Sequence, residues 1–553
     1  MSDFNKLLFT MIAACGAAGS LFAADYADGV LLLNEGKYGT PGSICHLDAE
    51  GKWTDRAFAE ANAGEATLGN TGSFAASRGD CLYIVSKQKN TAGAILTKAD
   101  SRTLRKLASA SDFGFAASCQ GRAFLPIDDA KGYLSTTLGV AVVKLEDLSL
   151  ISSIEGLLNN AGKAVECGNM IRLADRVFIA TKSKFLYVID PATDKIIETL
   201  DFTEITGNEK AYAASIVVGT DGALYCSVAG GTNGNTLPWL VKVTNSAEDP
   251  SMLITETIAV PEGVYPPANS WYGWTPDAFC ASPAAGALYW NGGASSFNSN
   301  KELFKYDIAK GEFSKFYEFA EDKFFYGSAM RVNPADGSVY LAYLSGSAWS
   351  DVATLAKLDP EEGTVTAEWP MSKESWFPCL PLFPDKEAPT ATPIENPYQV
   401  DGDVASTLID LRGLASDPDS HDALMTITLS ENRNPELAEM EVKHGFLRVS
   451  PAAGALGTAI ASVQYDSNGR TASLDIPISI SSSTGVADVA ASDNAVSALR
   501  ESATSLRLAG YGVAEVYTLS GALIARVNVD GTTSVAVTET PVIVRFGNLA
   551  TKL

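Results

Sequence analysis

Short β-strands repeated along most of the chain, with no helical core, are expected from three features. Residues 29–384 lack helical periodicity and alternate β-rich runs with turn residues. One strand–strand–turn–strand grammar recurs through that stretch. The last run before the linker, PCLPLF at 378–383, has nothing after it to pair with, and the first runs, GVLLLNEG and SICHLDAEGKW, have no strand before them.

The clearest unit is RVFIATKSKFLYVIDPATDKIIETLDF at 176–202, in which Asp190 can bond turn amides and Pro191 presets the turn's first dihedral. The same order recurs in CLYIVSKQ with AILTKADSRTLRKL, GALYCSVAG with WLVKVTN, GALYWNGG with ELFKYDIAKGEFSKF, and GSVYLAYL with LAKLDPEEGTVTAEW. Opening strands are expected at 72–76, 115–118, 169–172, 213–216, 276–279 and 327–330. PCLPLF is a seventh opener. If the N-terminal strands complete its sheet, residues 31–33 pair with 380–382 and no sheet edge is left open. The expectation is a seven-bladed β-propeller over 24–384, closed by N-terminal strands. A tandem of β-sandwiches is the alternative.

Residues 385–482 read as an Ig-like β-sandwich from LIDLRGLASDPDSHDALMTITLS, FLRVSP and GTAIASVQYDSNGRTASLDIPISIS. Residues 483–553 read as a linker and a small C-terminal β-sandwich. At the other end, residues 7–24 are uncharged and diluted with Gly, Ala and Ser, so 1–23 is expected to be a signal peptide cut near Ala23 or Ala24. Ile12-Ala13-Ala14-Cys15 also resembles a lipobox, which would lipidate Cys15. After cleavage Cys45, Cys81, Cys119, Cys167, Cys226, Cys280 and Cys379 remain; an odd set without C-x-x-C suggests buried small hydrophobes, and no bridges are assigned.

A formal charge of −24 repels phosphate backbones, which argues against a nucleic-acid partner. Three histidines, His46, His421 and His444, in no ligand-like spacing argue against a histidine zinc site or triad.

In a propeller the loops before the opening strands surround the channel on one face. Those loops carry Trp271, Tyr272 and Trp274; Phe324, Phe325 and Tyr326; Trp376 and Phe377; and singly Phe113 and Tyr212, with Asn70 and Asn169 adding amides. Rings on rigid loops give large contact area at low entropy cost, so these are the candidate ligand-binding residues. Trp239, Trp290 and Trp349 are expected to pack. Catalysis is not expected. The enzymatic alternative, a metal-dependent lactonase-like site, would draw on Glu35, Asn70, Glu166, Asn169 and Asp277.

The segments VLLLNEGKYGTPGSI, LGNTGSFAASRGDCLYIVSKQ and YVIDPATDKIIETL resemble YncE-like surface propellers of Gram-negative gut-type bacteria. Some of these capture cobamides for a TonB-dependent transporter, so the resemblance implies a ligand-binding protein with those partners; a glycan-binding or adhesion module is the alternative. Asp417-Pro418-Asp419 and Asp466-Ser467-Asn468-Gly469 resemble loops of secreted cadherin-like modules. There Asp417, Asp419 and Asp466 would hold Ca²⁺, or simply form Asx turns; no other cofactor is expected. VYTLSG at 516–521, VIVRF at 542–546 and Lys552 resemble the C-terminal sorting domain of type IX secretion cargo. That implies export through the type IX machinery to the cell surface or outer membrane, or release.

Overall fold

Alternate side chains of a strand point to opposite faces, so the run VLLL must be covered on both sides. In the computed structural model it is. Leu31 and Leu33 pack with Leu82, Ile84 and Ala99, and Val30 and Leu32 pack with Tyr340, Leu344 and Leu355. The structure describes residues 25–37, 39–64, 67–230, 235–267, 278–291, 301–347, 350–373, 376–482, 497–502, 504–518, 521–537, 541–546 and 549–553. The expected signal peptide, Cys15, Trp271, Tyr272, Trp274, Asp277 and Trp349 lie outside the described residues, as does the side chain of Tyr326.

Seven four-stranded antiparallel sheets follow one another among the described residues. The second runs from its inner strand Asn70–Arg78 through Cys81–Gln88 and Leu96–Asp100 to Lys106–Ala110. The fourth is Cys167–Leu173, Arg176–Thr181, Phe185–Asp190 and Lys195–Asp201. The first is composite: Pro378–Leu382 is its inner strand, followed by Val30–Asn34, Ser43–Leu47 and Trp53–Thr54. Leu31 pairs with Leu382, Leu32 with Pro381 and Leu33 with Leu380, the register expected from the two orphan ends. An apolar core fills each junction between consecutive sheets, and one joins the seventh to the first. The architecture is propeller-like.

The turn aspartates behave as expected. Asp190 Oδ1 accepts from the Ala192 amide, Asp100 Oδ1 from Thr103, and Asp359 Oδ1 from Glu361 and Glu362. The opener expected at 115–118 is corrected: the inner strand of the third sheet is Gly121–Pro126. FAAS ends in a turn, with the Cys119 amide on the Ala116 carbonyl, and Phe115 packs onto the second–third junction from that loop. In the sixth sheet the strand is Cys280–Ser282, just beyond the expected 276–279. All seven cysteines from Cys45 onward are free thiols. His46 is buried, with Nε2 2.7 Å from the Asp28 carbonyl, and Trp290 is buried in the fifth–sixth core.

Beyond Asp385 the strands bury one face. In Arg470–Ser481, Ile476, Ile478 and Ile480 enter the core while Asp475 faces out. That strand pairs in parallel with Tyr398–Asp401 and antiparallel with Gly457–Ser467. A second sheet, Thr407–Asp410, Phe446–Pro451 and Ala438–Lys443, covers the same core. The last strands form one five-stranded sheet, where two were expected, because the long strand Ser505–Thr518 pairs with three others. No helix of the described residues is long and apolar enough to cross a membrane.

Candidate functional site

The end of the ring that carries the candidate residues is shaped by broken ladders. Register shifts interrupt six of the seven inner strands among the described residues: at Pro378/Leu380 (opposite Asn34/Leu33), Gly72/Phe74, Gly121/Phe124, Cys167/Met170, Ala213/Ser215 and Phe325/Met330. A β-bulge bends its strand and re-aims side chains, at the cost of ladder bonds that need other partners. Small polar residues supply them. Ser73 Oγ donates to the Arg122 carbonyl, Ser135 Oγ to the Gly168 carbonyl, and Asn169 Nδ2 to Ser215 Oγ. These bonds stitch the second sheet to the third, the third to the fourth and the fourth to the fifth.

Charged side chains converge at this level. Arg122 Nε lies 2.8 Å from Glu166 Oε1, and Lys182 Nζ 2.9 Å from Glu166 Oε2. Burial alone would raise the Glu166 pKa, but the two cations outweigh it and hold the carboxyl below its ordinary value. Lys87 is buried, and burial pushes its pKa down to about 7 against the opposing pull of Glu35. The Cys379 thiol is pushed up by burial and lies in the field of Glu35, Lys87 and Arg331. Tyr212 is pushed up by burial, with Glu166 adding to it.

The sequence-derived residues divide. Tyr212 and Asn169 belong to this cluster. Trp376 is half-buried under Lys37, whose Nζ sits 5.3 Å from the ring, and lines a cavity of about 200 Å³. Phe113 packs into the second–third core and borders a cavity of about 480 Å³. Phe325, on the inner strand Lys323–Val332, and Phe377, at a bend with φ 52° just before Pro378–Leu382, are core residues of the sixth–seventh and seventh–first junctions. Asn70 Oδ1 accepts from Asn90 Nδ2 at 2.9 Å. Glu166, a ligand in the lactonase-like alternative, is instead committed to two cations. Sequence reasoning missed Lys87, Arg122 and Lys182; the signal was small polar and glycine residues breaking otherwise apolar inner strands.

At the opposite end of the ring, the one-step turns between first and second strands meet the module that follows Asp385. Arg78 binds Asp466 through two hydrogen bonds, the shorter 2.7 Å, and Arg470 reaches Asp80 at 2.9 Å. His444 Nδ1 lies 2.7 Å from Asp175 Oδ1, and His421 Nε2 lies 3.0 Å from the Val218 carbonyl. This junction holds the acidic group. Asp385, Asp417 and Asp419 each offer a carboxylate oxygen, all within 4.8 Å of one another. Asp466 is not part of it, because its carboxylate is spent on Arg78. Asp417 Oδ1 accepts the Asp419 amide while its buried Oδ2 has no hydrogen-bond partner. Asp385 Oδ2 accepts from Asn468, and Oδ1 has Arg470 Nε 3.4 Å away without a hydrogen bond. Burial, reinforced by its acidic neighbours, pushes Asp385 up to about 7, and burial also raises Asp417. Two buried carboxylate oxygens facing a third carboxylate suit a hard divalent cation bound through oxygen.

Among solved structures the chain is similar to a quinonprotein alcohol dehydrogenase-like protein (BT1487) from Bacteroides thetaiotaomicron, at 15% identity and a TM-score of 0.47, covering 65% of this chain and 79% of that one. It is also similar to the Cps50 (Swd1) beta-propeller domain of Myceliophteria thermophila, at 10% identity and a TM-score of 0.38, covering 62% and 98%. A third is the extracellular domain of BT3049 from B. thetaiotaomicron, at 13% identity and a TM-score of 0.38, covering 83% and 56%. No curated protein matches the sequence. Residues 28–384, the whole ring of sheets and well over half of the chain, match the family model described as Domain of unknown function (DUF5074), and the chain belongs to that family.

Proposed function

We propose that the chain is an exported ligand-binding protein whose seven sheets are the blades of a closed propeller, with a large ligand entering at the bulged end of the channel. The observation that carries this reading is the concentration there of re-aimed strands, charged side chains and ring-bearing loops. Resemblance to YncE-like surface propellers makes a cobamide, handed to a TonB-dependent transporter, the first ligand to try. A glycan is the second. Binding is proposed over catalysis because Glu166, the best-placed carboxylate, is neutralised by Arg122 and Lys182. Calorimetry with cyanocobalamin, haem and an oligosaccharide panel tests the reading. Saturable corrinoid binding, lost in a Trp271→Ala, Trp274→Ala variant, supports capture. A metal-dependent hydrolase activity without binding of any of the three refutes it.

For the remaining modules we propose an Ig-like domain over 385–482 and a type IX sorting domain over 483–553, preceded at the other end by a signal peptide over 1–23. Deleting residues 485–553 should strand the protein in the periplasm; undiminished surface display would revive lipidation of Cys15. A Ca²⁺ ion at Asp385, Asp417 and Asp419 is the second reading, favoured by their mutual approach at the module junction. Calcium titration should raise the unfolding temperature of the intact chain, and Asp417→Asn should abolish that response.

A further inference from the structure

We infer that the bulged end of the channel receives an anionic oxygen group, a phosphate or a carboxylate, carried by the ligand. This deepens the capture reading and rests on that end being the ligand's entrance.

Three cationic side chains, Lys87, Arg122 and Lys182, gather there against two carboxylates, Glu35 and Glu166, among the described residues. The chain as a whole carries −24, so this local excess of positive charge runs against the composition. A surplus of cations between low-dielectric walls is screened less than it would be in water. An ammonium or guanidinium held out of water is also costly unless an anion and hydrogen bonds offset the loss of hydration. Arg122 stands at a strand break, where the backbone has been turned to place it. A planar guanidinium on a bent strand is suited to oxyanions.

Lys87 gives the inference a signature of its own. The groups around it are Glu35, Arg122, Cys379 and Glu166. Cys379 stays a neutral thiol because burial raises it, and Glu166 stays ionised. With burial holding the Lys87 ammonium near 7, an anion arriving beside it favours the charged form, so binding draws in a proton and tightens as pH falls through neutrality.

The test is calorimetry on the full chain with inorganic phosphate and with succinate, at a pH below 7 and one above 8, in two buffers of different ionisation enthalpy. The expected result is saturable binding of one or both anions; for succinate, whose own ionisations lie below the window, binding should be about tenfold tighter at the lower pH and come with net proton uptake. Lys87→Met should remove the pH dependence, and Arg122→Gln should weaken binding at least about tenfold. The exposed Lys315→Ala, on an outer strand, should change neither. If a buried variant fails to fold, Lys182→Gln, whose side chain is partly exposed, should weaken binding in its place. Phosphate without succinate assigns a phosphate group; the reverse assigns a carboxylate. Binding of neither anion, or binding indifferent to Lys87→Met and Arg122→Gln, overturns the inference. Corrinoid binding that is unaffected by these variants would leave capture standing and this inference false; anion binding without corrinoid binding would do the opposite.

Discussion

Compare the two ends of the ring. At one end the first and second strands of every sheet but the composite first join through short turns, and those of several sheets are clasped from below by Asp466, Arg470, His444 and His421. At the other end the same strand pairs are broken by bulges, and backbone bonds are replaced by serine and asparagine contacts running between sheets. The clasped end spends its polar groups on another part of the same chain. The bulged end keeps Arg122, Lys182 and Glu166 around the channel. A floor tied down by the following module leaves the opposite end free of that module's clasping contacts, and this contrast is the ground on which the proposed site is assigned to that end.

The largest expected effect concerns what both ends share, the closed ring. Leu32 and Leu33 are fully buried on opposite faces of one strand; Leu33→Ala should cost about 2–5 kcal/mol by denaturant unfolding. Ile197, exposed on an outer strand, should tolerate the same change within about 0.5 kcal/mol. Equal losses at both positions would contradict a ring held by its junction cores.

Next comes the floor. Arg78→Ala leaves Asp466 without its main partner and should cost about 2–3 kcal/mol, with the partial exposure of Asp466 keeping the loss at the low end. Ligand affinity at the other end should not change. A parallel loss of affinity would show that the two ends are coupled.

The junction should also respond to pH, with two opposite slopes. Burial pushes the Asp175 carboxyl up, but the hydrogen bond and charge of His444 outweigh it, so its folded value lies below the ordinary 3.8. That contribution is present above 3.8 and disappears as pH falls through the folded value. Asp385 runs the other way: raised to about 7, it favours the folded state at low pH and loses that contribution as pH climbs from about 4 to 7. Thermal melts with EDTA should show both. Calcium should flatten the Asp385 slope alone, and a slope unchanged by calcium would count against a cation at the acidic group.

Two smaller effects remain. Gly469 has φ +91°, and a Cβ there would lie 3.1 Å from the Gly79 amide nitrogen, so Gly469→Ala should loosen the floor by about 1 kcal/mol in unfolding measurements. Thiol titration of the native protein should label Cys81 and Cys119 before the five buried cysteines. Early labelling of Cys379 would mean that the ring opens at its seam.

Much of the ring was legible in the chain. Orphan strands at the two ends pointed to one shared sheet, and the Asp-containing turns marked the third strands. Legibility failed where local pattern and long-range contact disagree. FAAS has strand-like composition, yet GRAFLP forms the strand because it finds Lys131–Thr136 beside it. Aromatic loops suggested a mouth, but Phe325 and Phe377 proved to be wedges between sheets. Asp385 went unnoticed as a partner of Asp417 and Asp419, since more than thirty residues separate it from them in the chain.

Periodicity, turn chemistry and unpaired ends are local properties, and they were enough to specify repeated sheets and a closed ring. Which side chains meet across the channel, that Asp466 serves Arg78, and that Lys87 is buried beside Glu35 were settled only by packing. The reason is physical: a strand's pairing preferences are carried by its own residues, whereas a charge's environment is set by neighbours that the fold brings from distant parts of the chain.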